Sequence, residues 1–154
     1  PPRLLRPGGV TLERLESVLG RVEVDQAVTR LMSAGEKPRA PGMKYRHYAP
    51  KAPVTVVAGP PERTAEHIAR SLMPGDGVIC FDEFAGRFPG CQIQRMGPAG
   101  GKSAQARHIF DALRAFDHTE VPRIWAQCPD PSGLGLAINN RLNKAAGFHI
   151  VEVK

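Results

Sequence analysis

Three stretches of this 154-residue chain hold side chains whose types and spacing could do chemistry. The densest is Ala40-Pro41-Gly42-Met43-Lys44-Tyr45-Arg46-His47-Tyr48-Ala49-Pro50. Proline fixes φ and removes an amide donor, so this backbone is expected to run extended and partly rigid. Lys44 and Arg46 offer cationic donors to phosphate, and an arginine can do so through two parallel hydrogen bonds. Tyr45 and Tyr48 bring flat faces and hydroxyls suited to covering a purine or closing a cavity, with His47 between them. The same composition also fits a solvated basic linker whose tyrosines merely dock on a surface. The residues by themselves leave both readings open.

The second stretch is Gly97-Pro98-Ala99-Gly100-Gly101-Lys102-Ser103. A phosphate-cradling P-loop requires GxxxxGK[ST], so that backbone amides surround phosphate while the lysine reaches the outer groups. Counting back from Gly101-Lys102-Ser103 puts the first glycine at position 96, which is Met96. No strand ending in a metal-binding aspartate stands out, because Asp82 and Glu83 follow a strand that precedes this loop. The expectation is a glycine-rich turn leading to a helix capped by Ser103. The third stretch, Pro129-Asp130-Pro131-Ser132-Gly133-Leu134-Gly135, again sits between a predicted strand and a predicted helix. It lacks the later glycine of GxGxxG, where Ile138 stands, and an acidic residue about 20 positions on to grip a ribose. Capping by Ser132 and close helix packing account for it, with a small-anion contact left open.

Other polar residues carry less. His67, His108, His118 and His149 have no partner at metal-ligand spacing, and no metal set is expected. Asp82 and Glu83 are neighbours on an extended chain and point apart. No Ser/His/Asp or Cys/His arrangement emerges, so no catalytic residue is expected within the chain. Trp125 lies inside an apolar run and is expected in the core.

The elements that must position these groups follow from periodicity. Leu4-Leu5 ends a short strand, Arg6-Pro7-Gly8-Gly9 turns, and Thr11 caps a helix whose apolar positions are Leu12, Leu15, Val18 and Leu19, with Gly20 as its stop. One helix of this length cannot bury that stripe alone. Residues 1–20 therefore read as the tail of a preceding domain, cut at Pro1. Residues 21–52 read as a linker, broken between 33 and 53 by Pro38, Pro41, Pro50 and Pro53. That stretch holds five basic residues against the single acid Glu36. From 53 to 154, strands (54–58, 78–81, 91–96, 123–128, 149–153) alternate with helices built on Ala65/Ile68/Ala69/Leu72, Ala106/Ile109/Phe110/Leu113/Phe116 and Leu134/Ala137/Ile138/Leu142/Ala145. That alternation predicts βαβ units and an α/β domain with a mostly parallel sheet of about five strands.

Composition is that of a globular protein, 42% apolar and 23% charged. No apolar run approaches the roughly 20 residues of a membrane helix. Cys80, Cys91 and Cys128 are odd in number and widely spaced, which favours buried reduced thiols and the cytoplasm. A net charge of +6 and a pI near 9.7 permit nucleic acid, nucleotide or other anionic partners without identifying one.

The run APGMKYRHYAP resembles the interdomain linker of the two-domain YrdC family of threonylcarbamoyl-AMP synthases, with Ala40 where that motif usually has Ser. Leu5-Arg6-Pro7-Gly8 followed by a helix resembles the end of the family's catalytic domain. Gly133-Leu134-Gly135-Leu136-Ala137-Ile138, continuing to Asn140-Arg141-Leu142 and Lys144-Ala145-Ala146, resembles the signature of its C-terminal domain. The resemblance covers essentially the whole chain. It implies a Rossmann-like three-layer domain at 53–154, and an enzyme that joins threonine, bicarbonate or CO2 and ATP (with Mg2+) into threonylcarbamoyl-AMP and pyrophosphate. Partner proteins then transfer the threonylcarbamoyl group to tRNA, which the chain meets only indirectly. The resemblance assigns Arg6, Tyr45, His47 and Tyr48 to the nucleotide site of the intact enzyme, while Lys44 and Arg46 stay candidate phosphate contacts by residue type alone. Catalysis belongs to an N-terminal YrdC-like domain, most of which is absent, so this chain is expected to be a gating module, inactive alone and without a cofactor of its own. Two other readings stand beside it: a basic RNA- or tRNA-binding module, and a purely structural interdomain or oligomerisation domain.

Overall fold

The computed structural model describes residues 1–30 and 49–154. Its larger part is a five-stranded sheet formed by β3 (Val54–Ala58), β4 (Gly77–Cys80), β5 (Gln92–Arg95), β6 (Ile124–Gln127) and β7 (Ile150–Glu152). The strand order is β5-β4-β6-β3-β7, and every pairing is parallel. Parallel neighbours need crossovers, supplied here by α2 (Pro61–Ser71), α3 (Lys102–Ala115) and α4 (Gly135–Ala145). The step from β3 to β4 crosses the sheet in one direction, while the steps β5 to β6 and β6 to β7 cross in the other. Right-handed crossovers therefore place α2 on one face and α3 with α4 on the opposite face. The contacts agree. Gln127 Nε2 donates to Pro61 O and Thr64 Oγ1 on α2, each at 3.0 Å, while α3 packs on α4.

A parallel strand covered on both faces reads as a continuous apolar run, and all four residues of β4 are buried. Gly77 opens that strand because a Cβ there would lie 2.6 Å from the Phe116 ring. Ile68, Ile79, Ile124, Ile138 and Leu142 are buried in the two layers, each contributing about 1.5–3 kcal/mol by leaving water. Trp125 is only half-buried. Its ring meets His67 edge-on at 6.3 Å, and its Nε1 donates to Asp76 Oδ2 at 3.2 Å, because this face of β6 lies under the exposed margin of α2. Cys80 and Cys128 are buried free thiols, pushed by burial to about 11 and about 12, whereas Cys91 is partly exposed.

Residues 1–30 form a small unit of their own. β1 (Arg3–Leu4) and β2 (Glu23–Val24) pair in parallel across α1 (Leu12–Leu19). Thr11 caps α1 by accepting from Arg14 N, and Gly20 ends it at φ 77°. A 3₁₀ turn, Gln26–Val28, follows β2 and buries Ala27 and Val28. No residue of α1 is buried, and Val18 and Leu19 are 77% and 55% exposed.

The expected caps of the later helices differ from those found. α3 begins at Lys102 with Gly101 at its N-cap, so Ser103 already lies inside the first turn. α4 begins at Gly135 with Leu134 at its N-cap, because Ser132 is engaged elsewhere.

Candidate functional site

Two regions of the fold could hold a ligand. The first is the C-terminal edge of the sheet, where β4 and β6 lead away in opposite directions and open α/β sheets commonly bind. Here the protein's own groups occupy the donors. Gly97 N donates to Asp82 Oδ1 at 3.2 Å, and Ala99 N donates to the Glu83 carboxylate at 3.0 and 3.1 Å. The amides a phosphate would need are thus already bound to internal carboxylates. Lys102 Nζ reaches Asp130 Oδ1 at 2.9 Å, Ser132 O at 2.7 Å and Ser132 Oγ at 2.9 Å. With the Ser132 hydroxyl first and Lys102 second, these bonds hold the Asp130 carboxyl down at about 2. Gly135 is required by the same packing, since a Cβ there would sit 1.8 Å from Asp130 O. The glycine-rich loop and the 129–135 turn therefore brace each other, which is the bland reading of both motifs.

The second region is a groove of about 520 Å³ between α3, α4 and the Arg6–Gly9 turn. Ile109, Phe110 and Leu113 of α3 and Leu134, Ala137 and Ile138 of α4 form its apolar floor. Asn140, Arg141 and Lys144 line it from the rest of that α4 face, three and four residues apart as helical neighbours must be. Arg6 enters from the turn that leaves β1. The N-terminal unit that carries this turn is held to α4 and to the loop before it by two hydrogen bonds. Asn140 Nδ2 donates to Val28 O at 2.8 Å, and Gly133 N donates to Glu13 Oε2 at 2.8 Å. That last bond, the largest influence on Glu13, keeps its carboxyl below the ordinary value.

The electrostatics of the groove are one-sided. Arg6, Arg141 and Lys144 are cationic, and among the described residues no acidic side chain lines it. The Arg141 guanidinium lies 5.5 Å from the Phe110 ring centroid, with Arg114 at 5.4 Å. Lys144 is 8% exposed, and its ammonium is pushed below the ordinary lysine value by burial first and by Arg6 second.

Of the residues singled out in the sequence, Arg6 is placed in this groove. Lys44, Tyr45, Arg46, His47 and Tyr48 lie outside the described residues. Arg141 and Lys144 were not among the candidates. Their helical spacing was readable, but their meeting with Arg6, more than 130 positions away, is a tertiary fact. Among the described residues no group of three or more His, Cys, Asp or Glu could hold a metal ion. No described helix is long and apolar enough to cross a membrane.

An all-parallel α/β sheet flanked by helices, with a groove lined by cations where a small N-terminal unit meets α4, defines the class as a layered α/β domain. The family model described as threonylcarbamoyl-AMP synthase, C-terminal domain, matches residues 10–147, and the chain belongs to that family. A threonylcarbamoyl-AMP synthase of Bacillus subtilis is 41% identical over 153 residues, covering 97% of this chain and 43% of the relative. The enzyme of that name from Pyrococcus abyssi is 40% identical over 157 residues, covering 99% of this chain and 44% of the relative. The crystal structure of P. abyssi Sua5 complexed with L-threonine superposes with a TM-score of 0.78 at 36% identity, over 100% of this chain and 45% of that one. A C-terminal Sua5 domain from Pyrococcus horikoshii matches with a TM-score of 0.53 at 30% identity, over 68% of this chain and all of its own. The chain thus spans less than half the length of the curated relatives it matches.

Proposed function

We propose that this chain works as the C-terminal accessory and gating part of a threonylcarbamoyl-AMP synthase, an enzyme joining threonine, bicarbonate or CO2 and Mg-ATP into threonylcarbamoyl-AMP and pyrophosphate for tRNA modification. The observation that carries it is the family match over residues 10–147, together with relatives of that name in which the remaining half lies outside the matched region. That other half is the YrdC-like catalytic partner in this reading, and the threonine complex of the P. abyssi protein supports threonine as the shared substrate. The exposed stripe of α1, with Val18 and Leu19 uncovered, is consistent with a surface meant to be covered by that partner. Arg6 belongs to the nucleotide site of the joined protein, and Tyr45, His47 and Tyr48 close over it. The chain alone is inactive, and the joined protein acts in the cytoplasm.

The test is pyrophosphate release from threonine, bicarbonate and Mg-ATP by this chain, by a separately made catalytic half, and by the two mixed. No turnover by the chain alone, a faster rate in the mixture than in the catalytic half, and loss of that gain on Tyr45→Ala or Tyr48→Ala are expected. Appreciable turnover by the chain alone would refute the reading.

A further inference from the structure

A continuous run of hydrogen bonds leads from α4 to the strand that carries Arg6. From it we infer that Asn140 is a positioning residue, fixing where the Arg6 side chain stands in the joined protein. This rests on the reading above for the role of Arg6 itself, and adds the residue of the C-terminal domain that holds it in register.

The run can be followed bond by bond. Asn140 is 7% exposed, and its Nδ2 donates to Val28 O at 2.8 Å, at the end of the 3₁₀ turn Gln26–Val28. That turn is closed on itself: Asp25 Oδ1 accepts from Ala27 N at 3.0 Å, and Val28 N donates to Asp25 O at 3.0 Å. Asp25 N donates to Leu4 O and Glu23 N to Pro2 O, each at 2.9 Å, so β2 holds β1 in a set register. An ion pair from Arg3 to Glu23 at 3.1 Å ties the same two strands. Arg6 follows Leu4 by two residues. A shift at Val28 is therefore passed along the β1–β2 ladder to the Arg6–Gly9 turn.

The other contacts of the N-terminal unit set position less sharply. Its buried residues among those described are Val22, Ala27 and Val28, which stand outside the apolar core of the sheet. Apolar burial is non-directional and lets surfaces slide, whereas a hydrogen bond has a preferred length and angle. The bond from Gly133 N to Glu13 is exposed and ends on a long side chain of α1, which can follow a small shift. The Asn140 bond is buried, so losing its donor leaves Val28 O unpaired and drives the turn to move toward water.

The test is steady-state kinetics of the joined protein with ATP varied. Asn140→Leu keeps the volume of the side chain and removes its donor. It should raise the KM for ATP about tenfold and leave kcat within about twofold, the pattern of binding lost equally from ground and transition states. Arg6→Gln should raise KM at least as far. The double variant should show the KM of Arg6→Gln alone, because a residue that acts through Arg6 has nothing left to position. A merely structural role would multiply the two effects. Glu13→Ala, which cuts the exposed tie, should leave KM within about twofold. If Asn140→Leu does not fold, Asp25→Ala cuts the next link and should raise KM about fivefold, again without further effect in Arg6→Gln. Multiplied effects in the double variant, an unchanged KM in Asn140→Leu, or an equal rise in Glu13→Ala overturns the positioning role while Arg6 keeps its place in the nucleotide site. An unchanged KM in Arg6→Gln instead removes Arg6 from that site, and the positioning role goes with it.

Discussion

Lys102 and Lys144 stand at opposite ends of one face of the domain and illustrate two uses of a lysine beside a helix. Lys102 is saturated: its ammonium meets a carboxylate, a carbonyl and a hydroxyl of the 129–135 turn, all within 3 Å. Lys144 is buried in a groove that Arg6 and Arg141 also line, and burial first and Arg6 second lower its pKa. The first lysine sits in the segment that most resembles a phosphate loop, the second in a plain amphipathic helix. A lysine's surroundings, more than the glycines beside it, decide what it does in the fold.

The comparison can be broken, beginning where the effect should be largest. Gly135→Ala forces a Cβ against Asp130 O and should cost about 3 kcal/mol of stability, the upper end of overpacking, read from the urea midpoint. Lys102→Met removes three hydrogen bonds from the brace and should cost about 2 kcal/mol, read the same way. Arg141→Gln, at an exposed position, should leave stability within about 0.5 kcal/mol of the parent. If Lys102→Met cost no more stability than Arg141→Gln does, the contrast between the two ends of this face would collapse.

The smallest effect concerns pH. The Asp130 carboxyl is held at about 2, below its ordinary value, so the charged form is favoured in the folded state. Its contribution is present above the ordinary carboxylate pKa near 4 and is lost as pH falls from there through about 2. Asp130 is largely exposed, so the change should be slight. The urea midpoint should fall less between pH 5 and pH 2 in Asp130→Asn than in the parent.

Much of the fold was legible because its signals are local. The runs at 54–58 and 78–81 are rich in β-branched and apolar residues, as parallel strands covered on both faces tend to be, and the helical stripes at 65–72, 106–116 and 134–145 have the period of helices packed on a sheet. Thr11 and Gly20 worked as a cap and a stop. Ser103 and Ser132 did not, since a serine side chain that finds a nearer partner leaves the capping role. Ser132 binds Asp130 and Lys102, and α4 starts three residues later. The groove was the least legible part. Arg6 was found through a short motif, but Arg141 and Lys144 look like the polar side of any amphipathic helix until the Arg6–Gly9 turn is laid against them. Strand order was equally out of reach, because nothing local tells β6 to insert between β3 and β4.

The grip of the N-terminal unit on α4 also has a kinetic meaning. Two bonds that hold it, Gly133 N to Glu13 and Asn140 to Val28 O, join residues 120 and 112 positions apart. Contacts this distant in sequence demand a large loop closure before they return any stabilisation, so they form after the sheet and its helices have assembled. The unit should therefore be the last piece to dock and the first to leave. Amide protons of α1 should exchange through brief openings in which β3, β4 and β6 stay intact. Each such opening moves the Arg6–Gly9 turn off α4, so the lifetime of the groove is set by how often this late-folding piece lets go.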